Sequence, residues 1–259
     1  MRHTRSLSAL MLALSAGIAA AQWAGPSSSQ TPYLLPTAGG VQTTSILTVG
    51  DSVGGYRLSG ILDGLGAMSN GDGTFTLMAD HEFGATQGVV RAHGSTGSWV
   101  SSWLIDSATL EVFSGHDLFS STYVWNTGAG VFDAQTTAMD RLCSADLPPV
   151  SSLYNSASGK GTTSRIFFSG EETRPPFTSD HGRAFAHVVT GSLAGTSWQL
   201  PWYGRMAWEN LLHSPFEQDL TIAFCMDDAD RNTQSETPCE VYMYVGERLT
   251  RAMILRAPG

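Results

Sequence analysis

Lysine is almost absent from this chain of 259 residues, because Lys160 is the only one. Charged residues make up 14% of the sequence, and the formal net charge is −9. Nucleic-acid binding depends on basic side chains that neutralise phosphates, so this composition argues against a nucleic-acid-binding protein. An acidic protein that acts on an anionic substrate instead needs bound cations, which reverse the local electric field.

Long hydrophobic runs are also scarce, and the one candidate lies at the N-terminus. Residues 7–20 are mostly apolar, follow the basic residues Arg2 and Arg5, and precede a small-residue stretch that ends at Ala21. This pattern predicts a secretory signal peptide over residues 1–21, with an N-terminal anchor as the alternative, since the run is shorter than the ~20 residues of a membrane span. We therefore expect a secreted or periplasmic protein without stable membrane insertion after cleavage.

Cysteine is rare, with three residues in a chain that we expect to enter an oxidising compartment. Cys225 and Cys239 flank a polar loop between two predicted strands, so they either form a disulfide across a hairpin or stay reduced. If they pair, Cys143 is left as a free thiol, as half of an intermolecular disulfide, or as a soft metal ligand. The spacing of the three residues matches no zinc-site signature.

Helical periodicity is missing as well, and residues 207–212 are the best case for a single helical turn. Many short apolar runs between glycine-rich turns predict an all-β protein, either a sandwich or a β-propeller. Acidic strand ends favour the propeller, because the strands of several blades then meet at one channel. At ~40–50 residues per blade, a domain over residues 46–248 would hold about four to five blades.

The two ends of the chain differ from this central domain. Residues 22–45 are rich in Ser, Thr, Pro and Gly, which predicts a mobile entry segment. Residues 249–259 follow the last predicted strand as an irregular C-terminal end, which predicts a truncated chain.

Three predicted strands each end in a cluster of acidic residues. Strand ends of this kind can pool oxygen ligands for a hard cation such as calcium, which takes about six to eight of them. Two alternatives stay open: the acids form turns on solvated rims, or they hold a structural calcium ion without catalysis. The clusters are Asp80-His81-Glu82 after residues 74–78, Glu171-Glu172 after residues 165–168, and Asp227-Asp228 after residues 220–226.

Basic side chains near these clusters are candidates for binding an oxyanion. Arg91 and His93 lie two residues apart in a predicted strand, so we expect them on one face, where arginine and histidine suit a phosphate group. Arg205 and Glu209 are interpreted as an ion pair or as an oxyanion binder beside a metal ligand. His81 is a metal ligand, an acid–base group or a hydrogen-bonding rim residue, and packing roles are the alternative for both histidines.

Five short motifs, in this order, resemble those of PhoX-type alkaline phosphatases. The resemblance implies a secreted or periplasmic six-bladed β-propeller that hydrolyses phosphomonoesters with calcium and iron ions in its central channel. The motifs are Gly71-Asp-Gly-Thr-Phe-Thr-Leu-Met-Ala-Asp-His-Glu82, Val90-Arg-Ala-His-Gly94, Gly170-Glu-Glu172, Gly204-Arg-Met-Ala-Trp-Glu209, and Met226-Asp-Asp228 with Val241-Tyr-Met-Tyr244.

The resemblance also implies roles for particular residues. Arg91 and Arg205 would bind phosphate, and His93 completes the predicted catalytic set. Gly170 stands where the family has a cysteine and Asp80 where it has an asparagine, so Cys143 is a candidate for the missing thiolate. The implied metal ligands are His81, Glu82, Glu171, Glu172, Glu209, Asp227 and Asp228.

These observations predict a monomeric, exported, metal-dependent phosphatase that acts on a small phosphate ester. Calcium is the expected cofactor, with iron as a second metal that the resemblance implies. A phytase-like or esterase-like propeller hydrolase is one alternative, indicated by the Asp63-Gly64-Leu65-Gly66 segment. A calcium-stabilised binding module or an inactive fragment, both without catalysis, is the other.

Overall fold

β-Strands make up nearly all the regular structure of this protein. The computed structural model describes residues 21–173, 181–228 and 240–250. Within these ranges the helical elements are two short 3-10 helices, Val150–Ser152 and Pro201–Tyr203. The all-β prediction is therefore confirmed.

The N-terminal part of the described chain contains four short strands. β1 and β2 pair in parallel within the segment that was predicted to be a mobile entry, and residues 1–20 of the predicted signal peptide lie outside the described residues. β3 and β4 form a small antiparallel hairpin. These strands are β1 (Ala21–Ala24), β2 (Gln42–Ser45), β3 (Ser52–Val53) and β4 (Tyr56–Arg57).

The next four strands form an antiparallel meander, which we call the first sheet. Its first turn is the Asn70-Gly-Asp-Gly73 segment, which is a strong hairpin signal, and the Asn70 amide donates to the Thr74 carbonyl at 3.0 Å. The strands are β5 (Leu62–Ser69), β6 (Thr74–His81), β7 (Trp99–Asp106) and β8 (Val112–Asp117).

The second sheet has six strands in the order β10-β9-β16-β15-β14-β11. All neighbouring pairs are antiparallel except β16 and β9, and β12 with β13 forms a separate hairpin. The six strands of the sheet are β9 (Ser121–Asn126), β10 (Val131–Ala134), β11 (Leu142–Asp146), β14 (Ile166–Glu171), β15 (Ala184–Val188) and β16 (Thr196–Gln199). The hairpin consists of β12 (Tyr154–Asn155) and β13 (Lys160–Gly161).

The third sheet is an antiparallel meander of three strands, β17 (Trp208–His213), β18 (Leu220–Asp227) and β19 (Val241–Glu247). Residues 208–212 of the segment that was the best case for a helical turn belong to β17 instead. Pairing with β18 satisfies the backbone groups of this segment without a helix.

The three sheets pack face to face, and the second sheet is buried on both faces. Phe167 packs on Met78 and other first-sheet residues, whereas its neighbour Phe168 packs on Leu211 of the third sheet. Successive side chains of a strand point to opposite faces, so the apolar run of β14 serves two hydrophobic cores.

The described sheets do not close into a ring, so the β-propeller stays a prediction. Among the described residues, no helix has the length and apolar character that crossing a membrane requires.

His187 of β15 lies in the core between the first and second sheets. Its side chain is fully buried, its Nε2 atom lies 2.8 Å from Ser169 Oγ, and its ring stacks on Phe119 at 4.8 Å. Burial disfavours the charged imidazolium and lowers the pKa of His187 from 6.5 to about 3.

We expect acid to destabilise the protein through this histidine. Below pH 6.5 the unfolded chain protonates His187 and the folded chain does not, so stability falls by up to about 1.4 kcal/mol per pH unit until pH 3. Urea unfolding at several pH values measures this slope. His187→Gln should make the slope shallower and His116→Gln, an exposed control, should not; equal slopes would contradict the prediction.

Candidate metal centre

The three sheets begin with the same arrangement of paired residues. In each sheet, the first residue of one strand pairs with the last residue of the neighbouring strand. Directly after this paired residue, the first of the two strands contains a β-bulge. A bulge re-aims the side chains beside it, and bulges are frequent next to active sites. The pairs are Leu62 with His81, Leu142 with Glu171, and Trp208 with Asp227.

Two positions of this arrangement carry potential metal ligands in all three sheets. One is the residue that enters the bulge, and the other is the residue that follows the end of the paired strand. The bulge residues are Asp63, Cys143 and Glu209, and the residues after the paired strands are Glu82, Glu172 and Asp228.

These six residues form two groups, each with three ligand atoms within 4.8 Å of one another. The first group contains Asp63, Glu82 and Cys143. The second group contains Glu172, Glu209 and Asp228. Each group takes residues from two sheets, so only the packing of the sheets assembles it.

The carboxylates of the two groups repel one another. Desolvation, followed by the charges of Glu82 and Glu209, raises the pKa of Asp63 to about 6. Because the Asp63 side chain is exposed to solvent, we give the neighbouring charges more weight than the desolvation. A bound cation would remove this repulsion.

Cys143 connects the first group to the second. Its thiol donates a hydrogen bond to Glu172 Oε2 at 2.9 Å. Burial, and then this hydrogen bond, raise the pKa of Cys143 above its usual range. The residue is therefore a neutral thiol in this arrangement and would lose its proton on binding a metal.

Arg141 lies between the two groups. Its Nη2 atom is 2.6 Å from Glu82 Oε1 and 2.8 Å from Glu172 Oε2, and its Nε atom also donates to Glu82, at 2.9 Å. The backbone of Arg141 has φ +53°, in the left-handed region that residues other than glycine seldom adopt. The guanidinium is thus the resident counter-ion of both groups.

Glu171, a predicted metal ligand, belongs to neither group. Its carboxylate accepts hydrogen bonds from Arg183 Nε at 3.0 Å and Nη2 at 2.9 Å, and from the Asp140 amide at 3.0 Å. His181 Nδ1 lies 3.2 Å from the same carboxylate. These contacts describe a buried ion pair within the second sheet.

His81 and Asp227, also predicted ligands, lie apart from both groups. The His81 ring stacks on Trp99 at 4.1 Å, its Nε2 atom is 2.8 Å from Ser101 Oγ, and burial lowers its pKa to about 4. Asp227 Oδ1 accepts a hydrogen bond from the Ala207 amide at 3.1 Å. Of the predicted metal ligands, the structure brings together Glu82 in one group and Glu172, Glu209 and Asp228 in the other.

Arg91 and His93 do not share a strand face. Residues 88–94 form a loop, and the Gly94 amide donates to the Arg91 carbonyl at 2.9 Å, so the predicted strand is wrong here. The flanking glycines have positive φ angles, which favour turns over strands. The Arg91 guanidinium lies 3.4 Å from the centre of the Trp99 ring, and buried His93 packs on Phe119 at 5.3 Å.

Arg205 contacts the second sheet. Its Nε atom donates to the His181 carbonyl at 2.7 Å, and its backbone forms a bridge with Arg183. Its side chain lines a cleft at the edge of the second sheet. Arg205 therefore lies beside the second sheet, whereas Arg91 and His93 share the 88–94 loop near Asp117.

The cysteines also have separate positions. Cys225 is buried with a free thiol, while its predicted partner Cys239 lies outside the described residues. Cys143, the candidate for the thiolate that Gly170 lacks, lies in the first group. A β-carbon at Gly170 would lie 2.3 Å from the Trp208 β-carbon, so the neighbouring sheet leaves no room for a side chain.

We expect Gly170→Cys to destabilise the protein by about 1–3 kcal/mol, because overpacking forces the second and third sheets apart. Urea unfolding measures the change. Gly128→Ala is the matched control, since a β-carbon there meets its nearest atom at 3.5 Å. Equal stability of the Gly170→Cys and Gly128→Ala variants would contradict the prediction.

Sequence reasoning did not place Asp63 or Arg141 at a metal site, and it named Cys143 only as a candidate thiolate ligand. The available signal was weak, because Asp63 starts no acidic cluster and Cys143 lies in an irregular stretch. Their shared feature is their place beside a bulge opposite an acidic strand end, which becomes visible only once the strands are paired.

Comparisons with known proteins returned no relative. No protein-family model, curated protein or solved structure matches this chain.

Proposed function

We propose that this protein is an exported, cation-dependent phosphomonoesterase with its metal ions at the two acidic groups. The observation that carries the proposal is the repeated pair of ligand positions in all three sheets. If the acids only formed turns or solvated strand ends, the same two positions would have no reason to carry a carboxylate or thiol in all three sheets. A shared cation site explains why they do.

The finer architecture of the proposal is an open, propeller-like arrangement of blades. β11 packs against both β5 and β17, and these are the first strands of the three meanders. In a propeller, the first strands of neighbouring blades lie side by side around a channel. The outer face of the third sheet exposes Phe224, Met226 and Met243, as expected for a face that another sheet could cover.

The donor atoms fit the two expected metals. The second group offers three carboxylates, which suit a hard cation such as calcium. The first group adds the Cys143 thiol to two carboxylates, and sulfur favours a softer transition metal such as iron. When bound, such ions would polarise a phosphoryl oxygen and activate a water molecule.

The protein's own residues would hold the phosphate beside these ions. Arg141 is the arginine closest to both groups, and a guanidinium suits the paired oxygens of a phosphate. Arg91 instead packs on Trp99, and His93 is buried. We therefore assign phosphate binding to Arg141 before the predicted catalytic residues Arg91, Arg205 and His93.

Hydrolysis of p-nitrophenyl phosphate at alkaline pH tests this function. We expect turnover with calcium and iron, loss of turnover in chelator, and recovery when the metals are restored. Glu172→Gln should lower turnover by about 100-fold, because loss of a ligand weakens the metal site. Glu111→Gln removes an exposed carboxylate outside both groups and serves as control; chelator-insensitive turnover, or none in the folded protein with metals, would remove the proposal.

A calcium-stabilised binding module is the second candidate, and Arg141 is the observation that favours it. An arginine that already pairs with Glu82 and Glu172 lets the acidic groups serve structure alone. This function predicts that calcium raises the melting temperature while the protein hydrolyses no phosphate ester.

A further inference from the structure

A cleft of about 470 Å³ lies at the edge of the second sheet, away from the two acidic groups. Its walls combine indole rings, side-chain amides and arginine, a composition typical of sites for polar ligands that contain a ring. The lining residues used below are Trp125, Gln199, Trp202, Arg183 and Arg205.

Two tryptophans form the aromatic wall of the cleft. The Trp125 and Trp202 rings lie 5.3 Å apart, with their planes inclined by 51°. Phe132 packs edge-on to Trp125 at 5.1 Å and so supports that ring from the side. The Trp202 side chain is 67% exposed, so a large apolar face is open to solvent at the cleft.

The position of Trp202 is fixed by its neighbours. It lies in the short 3-10 helix Pro201–Tyr203, and Tyr203 anchors this helix through a 3.1 Å contact between its hydroxyl and His213 Nε2. Tyr203 also packs against Tyr244, at 4.2 Å. The helix therefore holds one aromatic residue in the core and presents the next one outward.

The polar wall is also held in place. Gln199 Oε1 accepts a hydrogen bond from the Trp125 amide at 3.0 Å, which fixes the side-chain amide beside the aromatic wall. Arg183 pairs with Glu171 at 2.9 Å, which holds its guanidinium in place. Arg205 is exposed, and its guanidinium is oriented by the His181 carbonyl.

We propose that this cleft binds an anion that carries a ring, with a face of the ring against Trp202 and Trp125 and the anionic group at Arg205. Indole faces stack on aromatic rings and on the apolar faces of sugars, and arginine binds phosphate or carboxylate. Aromatic rings and sugar rings both have a face that stacks on indole, and the experiment below separates the two.

The backbone links this cleft to the proposed metal centre. Arg205 bridges to Arg183, and two residues further on Ala207 bridges to Glu172 of the second acidic group. Two residues of extended chain span about 7 Å. On the proposed function, the cleft would hold the ring of a phosphate ester with the phosphate at Arg205, on the side of the cleft that leads to the second acidic group, and this last step alone rests on that function.

Isothermal titration calorimetry on the full chain in chelator tests the cleft without turnover. We expect saturable binding of phenyl phosphate, with phenol and inorganic phosphate each bound about tenfold more weakly, since each lacks one half of the recognition. Trp202→Ala should weaken phenyl phosphate binding about tenfold and Trp202→Phe less, because the phenylalanine keeps an aromatic face.

Trp23→Ala is the matched control, because Trp23 is 59% exposed and lies on β1 outside the cleft. Arg205→Gln should remove the preference for phenyl phosphate over phenol.

Tighter binding of glucose 6-phosphate than phenyl phosphate would identify a sugar ring, and the reverse order an aromatic ring. The proposal is overturned if neither compound binds, or if Trp202→Ala and Trp23→Ala bind equally well. Binding in chelator, with no hydrolysis after calcium and iron are restored, would reject the phosphatase function and leave the cleft in place.

Discussion

Glu171→Ala should destabilise the protein by about 3–5 kcal/mol, because it leaves a buried arginine without its counter-ion. The side chains of Glu171 and Arg183 are 0% and 2% exposed, so water cannot replace the lost carboxylate. Burial alone would raise the pKa of Glu171, but hydrogen bonds from His181 and Arg183 hold it below its usual range. The pair is therefore ionised in the folded protein, and urea unfolding at neutral pH measures its loss.

The same measurement in calcium and in chelator distinguishes an ion pair from a metal ligand. For the ion pair, the loss is equal in both conditions. For a metal ligand, the loss appears only when calcium is present. Glu111→Ala, the exposed control, should change stability by less than about 0.5 kcal/mol.

A compensating double variant makes the argument sharper. Glu171→Leu combined with Arg183→Met replaces the pair with apolar side chains, and such replacements of buried pairs are often neutral or stabilising. We expect the double variant to be more stable than Glu171→Ala. A double variant that is less stable by the sum of the two single changes would contradict the ion-pair interpretation.

Calcium should stabilise the protein by about 2.7 kcal/mol at a concentration 100 times its Kd, and Glu209→Gln with Asp228→Asn should abolish this gain. Two of the three carboxylates of the second acidic group are then neutral, so little remains to bind a hard cation. Thermal unfolding in calcium and in chelator measures the difference.

The matched control removes two carboxylates elsewhere. Glu111→Gln with Glu247→Gln changes the net charge by the same amount at exposed positions outside both groups. This control should keep the calcium-dependent gain. If the Glu209→Gln, Asp228→Asn variant keeps it as well, the second group is not the calcium site.

The neutral variants also separate repulsion from metal binding. Removing carboxylates from the second group relieves part of the repulsion that raises the pKa of Asp63. We therefore expect the difference in stability between the wild type and the Glu209→Gln, Asp228→Asn variant to be larger in calcium than in chelator.

Local sequence patterns determined the all-β class and several element positions of this protein. The turn at residues 70–73 joins two strands because its glycines and asparagine favour a tight hairpin. The acidic clusters do lie at strand ends, although Asp80 is buried inside β6. The predicted strand at residues 88–94 failed because its apolar residues lie between glycines with positive φ angles.

Which acid of each cluster faces which partner was decided only by the tertiary structure. Glu171 ends β14 and Glu172 follows it directly, so their side chains point to opposite sides of the extended backbone. One meets Arg183 of its own sheet, and the other meets Cys143 and Arg141 at the boundary with the next sheets. Sequence alone does not show which is which, because the register of the pairing strand sets the answer.

The same reason applies to the six ligand positions. The sequence by itself placed carboxylates at three strand ends, and this local property needs no partner. Only the pairing and stacking of the sheets set Asp63, Cys143 and Glu209 opposite those ends, because each of them comes from a strand separated from its partner along the chain. Contacts between distant segments depend on the packed fold, and no local pattern encodes them.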